Sequence, residues 1–214
     1  MSAAATTRLL LIRHAEVEEK YQRIFGGRID MNLSPRGHEQ AAVLARYLRH
    51  KPVSAVYASP MKRVQQTLVP FATNGAPRAT ILDGLREVDF GDWTGHGWEA
   101  IREKFGYSAY EWLDLLEQGR IPNAEPPEDY RARVAACARD IIARHPGEPV
   151  AVFCHGGVVR MMLSVLLDLP LPKFAHFDID YASLTEVEMH THRKPEVRLL
   201  NFTPWRDWPQ ATGS

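Results

Sequence analysis

The stretch VAVFCHGG, residues 150–157, decides how the fold is read. Its five apolar residues run without alternation, as in a strand of a parallel sheet covered on both faces. The glycines after the histidine are read as the start of a helix. The run LLLI at residues 9–12 has the same character and leads straight into Arg13 and His14. Residues 53–58 and 79–82 are weaker members of the same sheet. Between these runs the apolar positions recur at i, i+3, i+4 and i+7: Ala41, Leu44, Ala45 and Leu48; Val64, Thr67, Leu68 and Phe71; Val134, Cys137, Ala138 and Ile141. Each set makes one core stripe on a helix. Strands and helices alternate, so the expected fold class is α/β, a three-layer α/β/α sandwich around a mainly parallel sheet.

Punctuation between the elements follows from local chemistry. Ser34-Pro35 and Ser59-Pro60 each place a capping hydroxyl before a proline, whose missing N–H costs nothing in a first helical turn. Residues 92–127, rich in Trp, Gly, Glu and Pro, read as an insertion over the sheet edge and the active site. It carries a short helix at 110–117 and ends in a turn, IPNAEPPED, at 121–129. Residues 185–189 and 197–200 form a last strand pair about the polar HTHRKP turn, and residues 205–214 are expected to be a loose tail.

With 214 residues the chain can bury roughly 70% of its unfolded surface as one domain spanning 1–214. Lys and Arg number 26 and are balanced by 26 Asp and Glu, so no global field draws in nucleic acid or an anionic membrane. Two cysteines, Cys137 and Cys154, exclude a disulfide framework and a CxxC metal site. The apolar run between Arg8 and Arg13 is too short for a secretion signal. The stretch 158–167, interrupted by Arg160 and Ser164, is too short to cross a bilayer. A reduced, cytoplasmic protein is expected; oligomeric state is not readable.

Polar residues collect where strands end. Arg13 and His14 follow one run, Ser59 and Arg63 another, Glu87 a third, and His155, Gly156 and Gly157 the fourth. In an open α/β sheet the ligand crevice lies beyond the carboxyl ends of the strands, so these groups are expected to share one cleft. Guanidinium forks, imidazoles and helix-start N–H groups match phosphate oxygens. Each cation about 4 Å from a phosphate charge contributes roughly 4 kcal/mol at an effective dielectric of 20, before desolvation.

The ordered set LLLIRHAE at 9–16, FGGRIDMNLSPRGHEQA at 25–41, ASPMKRVQQT at 58–67, LREVDFGDWTG at 85–95 and FCHGG at 153–157 resembles the histidine phosphatase superfamily, which includes cofactor-dependent phosphoglycerate mutases. The resemblance implies a phosphoglycerate-mutase-like fold and needs neither metal nor cofactor. It implies that His14 takes the phosphoryl group, that Arg13, Arg63 and His155 hold its oxygens, and that Glu87 protonates the leaving oxygen. It also puts the backbone of Gly26, Gly27 and Gly156 at the substrate. For the attack His14 must be neutral, its other nitrogen held by a backbone carbonyl. As a cleft residue it is expected to be exposed and to support little packing.

Departures from the family pattern are Ala15, Val17 and Lys20, where Gly, Thr and Asn are common, and Asn123-Ala124-Glu125-Pro126 in place of GGES. Lys20 is either an added cation at the substrate or a solvated side chain. The segment Glu87-Val88-Asp89-Phe90-Gly91-Asp92-Trp93 resembles the phosphatase branch, whereas mutases carry ERHYG and a lysine-bearing extension. The expected activity is hydrolysis of a small phosphorylated metabolite through a phosphohistidine. A mutase, a non-catalytic phospholigand-binding module and a metal-dependent phosphatase are the alternatives. Trp93, Trp98, Tyr107, Tyr110 and Trp112 are read chiefly as packing; His190 and His192 are read as solvated, and a metal site formed by them with His176 is the disfavoured alternative.

Overall fold

The computed structural model describes residues 6–73 and 75–209. Its strands are β1 (Thr6–Arg13), β2 (Ala55–Ala58), β3 (Ala79–Ile81), β4 (Pro149–Cys154), β5 (Leu184–His190) and β6 (Glu196–Phe202). They form one sheet in the order β3-β2-β4-β1-β5-β6. The first four positions are parallel, and β5 and β6 add antiparallel to the far side of β1. Pairing with β5 carries β1 back to Thr6, beyond the apolar run that marks it in the sequence. The helices are α1 (Pro35–Leu48), α2 (Lys62–Ala72), α3 (Trp98–Phe105), α4 (Trp112–Glu117), α5 (Pro127–Arg144), α6 (Gly156–Leu167) and α7 (Pro204–Asp207).

Successive residues of a strand face opposite layers, and here both layers are apolar. Leu9, Leu11, Val150 and Val152 pack with Val134 and Ile141 of α5 and with Met161 of α6. Leu10, Ile12, Ala151 and Phe153 pack with Leu44 of α1 and Val64 of α2. That double coverage is why the two central strands show no polar alternation. Trp93, Ile101 and Leu113, from the 92–127 segment, are fully buried and belong to the first of these clusters. Among the described residues no helix is long and apolar enough to cross a membrane.

Three local expectations are corrected. Ser34 caps α1 as read, its hydroxyl accepting from Gly37 N at 2.9 Å. Ser59 does not cap α2: that helix begins at Lys62 after Met61, and its first N–H donates to Asp30 Oδ1 at 2.9 Å. The Ser59 hydroxyl is instead drawn to His155, 2.9 Å away. The turn expected at 121–129 ends early, because Pro127 occupies the first turn of α5. The expected loose tail is ordered at least to residue 209: α7 is held by Thr203 and Asp207, and Trp205 Nε1 donates to Tyr181 O at 2.9 Å. Residues 210–214 lie outside the described residues.

Candidate active site

The parallel strands deliver their carboxyl ends to one cleft, whose lining includes Arg13, His14, Arg63, Glu87 and Gly156. His155 is fully buried against the His14 ring, with ring centroids 5.3 Å apart and planes at 64°. The five residues read as catalytic from remote stretches therefore stand together.

His14 follows the last residue of β1, and its backbone N–H continues the ladder by donating to Cys154 O at 3.0 Å. A carbonyl can only accept, so the 2.8 Å contact of Nδ1 with Ala15 O places the ring proton on Nδ1. Arg63 Nε can only donate, so at 3.2 Å it meets an unprotonated Nε2. Burial, reinforced by Arg63 and Arg13, holds the His14 pKa well below 6.5 despite the Ala15 carbonyl. The imidazole is neutral with its lone pair facing the cleft arginine. Contrary to expectation it is not exposed, retaining only 6% of its surface.

Arg63 divides its fork among three acceptors: His14 Nε2, Ile29 O at 2.7 Å and Gly27 O at 3.0 Å. Burial draws its pKa down to about 10, with Glu87 opposing. Arg13 lies over the Tyr181 ring at 4.1 Å and donates through Nη1 to Ile179 O, and its buried Nε has no partner among the described residues. His155 sits at the N-cap of α6, with Nε2 2.9 Å from Ser59 Oγ and a buried Nδ1 that has no partner among the described residues. Burial, then Arg63 and His14, keep its pKa well below 6.5.

Glu87 is buried and faces the first turn of α6. Oε2 accepts from Gly157 N at 3.2 Å and Oε1 from Val88 N at 3.0 Å. This approach requires the glycine, because a Cβ at residue 157 would stand 2.4 Å from Oε1. Behind it Arg133 donates to Gly84 O, Arg86 O and Glu87 O and pairs with Glu125. Burial alone would raise the Glu125 pKa, but Arg133 holds the carboxyl below its usual range. The acidic residue of the departed GGES segment thus braces the backbone of Glu87; it is not among the residues lining the cleft.

Gly26 and Gly27 line the cleft, their carbonyls taken by Ile29 N and Arg63. Lys20 is exposed, its ammonium 4.8 Å from the Tyr21 ring, and it is not part of the lining; Tyr21 and Val17 are. Trp98 and Trp112 also line the cleft, so the aromatic group does more than pack, while Trp93 is entirely core and Tyr110 is exposed. Sequence reasoning missed Tyr181, for which no local signal exists. It also missed Arg160, whose place four residues after Gly156 on one helix face was a usable signal.

Away from the cleft, Glu188, His190 and Glu196 bring ligand atoms within 4.8 Å of one another. Arg8 and Arg198 already neutralise Glu188, and Arg193 and Arg198 neutralise Glu196, so this is an ion-pair cluster. His176 is not part of it, and His190 is hydrogen-bonded to Thr6 rather than solvated.

The chain is 30% identical over 196 residues to phosphoserine phosphatase 1 of Hydrogenobacter thermophilus, covering 92% of each. It is 24% identical over 182 residues to the adenosylcobalamin/alpha-ribazole phosphatase of Salmonella typhimurium, covering 85% of this chain and 90% of that one. Among solved structures, a mycobacterial glucosyl-3-phosphoglycerate phosphatase superposes with a TM-score of 0.82 at 22% identity, covering 92% of this chain and 99% of that one. The family model of the histidine phosphatase superfamily (branch 1) matches residues 9–203, and with its two histidines joined at the end of a parallel sheet the chain belongs to that superfamily.

Proposed function

We propose that the protein hydrolyses small phosphomonoesters through a phosphohistidine on His14. One observation carries the reading: a neutral imidazole has its proton committed to Ala15 O, so Nε2 is left as a lone-pair donor among arginines.

A phosphoryl group entering the cleft takes Arg63 Nε–H from His14 Nε2 and meets the unpartnered Nε of Arg13 and the N–H groups of Gly26, Gly27 and Gly156. His14 Nε2 attacks phosphorus, the bond to the ester oxygen breaks, and Glu87 in its acid form delivers a proton to that oxygen. The phosphorylated ring keeps its Nδ1 proton on Ala15 O. Water then attacks phosphorus, Glu87 takes a proton from it, the P–N bond breaks, and inorganic phosphate leaves with His14 and Glu87 restored. Charge on the equatorial oxygens is met by Arg13 and Arg63, with His155 packed against the reacting imidazole; fixed positive charge of this kind supplies most of the rate in phosphoryl transfer.

Residues 1–214 act as one catalytic domain in this reading, and residues 92–127 wall the cleft with Trp98 and Trp112. The free thiols Cys137 and Cys154 suit a reducing cytoplasm. Trapping with excess phosphomonoester under a non-acidic quench tests the reading. The expected product is a base-stable, acid-labile adduct on His14 that discharges to water; labelling elsewhere, or discharge only to a second organic acceptor, defeats it.

A further inference from the structure

We infer that Arg160 is a specificity-determining residue that binds a carboxylate on the leaving half of the substrate, so that phosphomonoesters of small hydroxy acids are preferred over the same esters lacking that group. This rests on the phosphatase reading above and narrows its substrate class.

Arg160 lines the same cleft as His14 and lies one helical turn after Gly156 on α6. A side chain built at Gly156 would place its Cβ 3.4 Å from Arg13 Nε and 3.5 Å from Arg160 Nη1. Two guanidinium groups thus flank one small space that the glycine leaves open. Like charges brought this close repel unless an anion lies with them.

Charge counting points to a second anion. The charged residues of the lining are Arg13, Arg63, Arg160 and Glu87. Among the described residues none of the three arginines has a carboxylate within ion-pair distance, although Glu87 acts on Arg63 and Arg160, and the exposed Asp178 on Arg160, from farther away. When Glu87 is protonated for its task as acid, three positive charges face a phosphate dianion. One is left over, and a carboxylate balances it.

The donors of Arg160 are arranged for that partner. Nε donates to Phe174 O at 3.2 Å, Nη1 to Gly156 O at 3.3 Å and Nη2 to Phe177 O at 2.9 Å. A guanidinium has five N–H groups, so each Nη keeps one more, and the pair forms a fork of the kind that grips a carboxylate through both oxygens. The Trp112 ring, 5.9 Å from the guanidinium carbon, and the backbone of residues 174–177 fix the plane of the fork. Burial, with Arg13 beside it, pulls the Arg160 pKa down to about 10 against the opposing pull of Glu87 and Asp178.

The test compares kcat/KM for O-phosphoserine and O-phosphoethanolamine, which differ only in the carboxylate, with p-nitrophenyl phosphate as a generic substrate. A desolvated, charge-assisted pair corresponds to a preference of roughly 10- to 100-fold for phosphoserine. Arg160→Gln is expected to bring the two values within about threefold of each other, and Arg160→Lys, which keeps the charge but not the fork, to fall between. Should Arg160→Gln not fold, Arg160→Lys carries the test, and an unchanged ratio overturns the inference. So does a wild-type ratio near one, or an equal loss on both substrates, which would mean that Arg160 serves the phosphate or merely ties down residues 174–177. Turnover of p-nitrophenyl phosphate with no carboxylate preference defeats this inference alone; absence of turnover of all three esters defeats the phosphatase reading beneath it.

Discussion

Gly157→Ala adds one methyl group between the proposed acid and the helix that holds it. The new Cβ would lie 2.4 Å from Glu87 Oε1 and 3.2 Å from both Glu87 Cδ and Tyr130 Oη. Ordinary contact requires the carboxylate to retreat by about 1 Å, which breaks the 3.2 Å hydrogen bond from Gly157 N. The same movement strains the 3.0 Å hydrogen bond that Oε1 accepts from Val88 N. In stability the change is small: alanine favours a helix over glycine by roughly 0.5–1 kcal/mol, while the overpacking costs about 1–3 kcal/mol. In catalysis it is large, since an acid misplaced by about 1 Å loses roughly 100-fold. The assay is phosphate release from an alkyl phosphomonoester and from p-nitrophenyl phosphate, with thermal midpoints measured alongside. The alkyl ester needs a proton on its leaving oxygen and should lose about 100-fold or more, whereas nitrophenolate leaves without one and should lose far less. Equal losses on the two esters, or an unimpaired alkyl reaction in a folded variant, would refute the role given to Glu87 and its dependence on Gly157.

Arg63→Lys should lower kcat/KM by roughly 100-fold or more despite the retained charge, because one ammonium cannot serve His14, Ile29 O and Gly27 O together; near-normal turnover in a steady-state assay would contradict this. Because burial keeps His14 and His155 neutral in the folded protein, NMR titration of the unliganded protein should show both rings uncharged through pH 6.5, where an unperturbed imidazole is half protonated. The unfolded chain takes up those protons and the folded one does not, so stability should fall as pH drops below 6.5, by up to about 1.4 kcal/mol per histidine per pH unit until the folded rings titrate; a flat profile of denaturation midpoints would count against it. Trp205→Ala should lower kcat/KM about tenfold, since Trp205 anchors the backbone of Tyr181, whose ring packs on Arg13 and His14; the kinetics of a folded variant measure it, and unchanged turnover would show that α7 does not steady the cleft.

Much of this protein follows from local pattern. Apolar runs without alternation mark β1 and β4, helical stripes mark α1, α2 and α5, and the positions of His14, Arg63, Glu87 and His155 after strand ends were enough to gather them at one edge of the sheet. Such features depend on which face of a segment is apolar, and residue spacing alone settles that. Polar partnerships are different. Ser59 has the sequence of a helix cap, yet its hydroxyl answers a histidine 96 residues away, while Asp30, itself remote from α2 in the sequence pattern, accepts from the first N–H of that helix.

The remaining discoveries have the same origin. Arg133 and Glu125 brace Glu87, α7 pins Tyr181, and His14 is buried rather than open, each through groups brought together only by folding. Sequence by itself determined the order of strands and helices and the reactive residues at their ends, since periodicity and chain direction are local properties. Tertiary structure alone decided which nitrogen of His14 carries the proton, which arginines lack a counter-charge and what holds the acid in place, because those depend on how far each polar group is removed from water and on which neighbour replaces it.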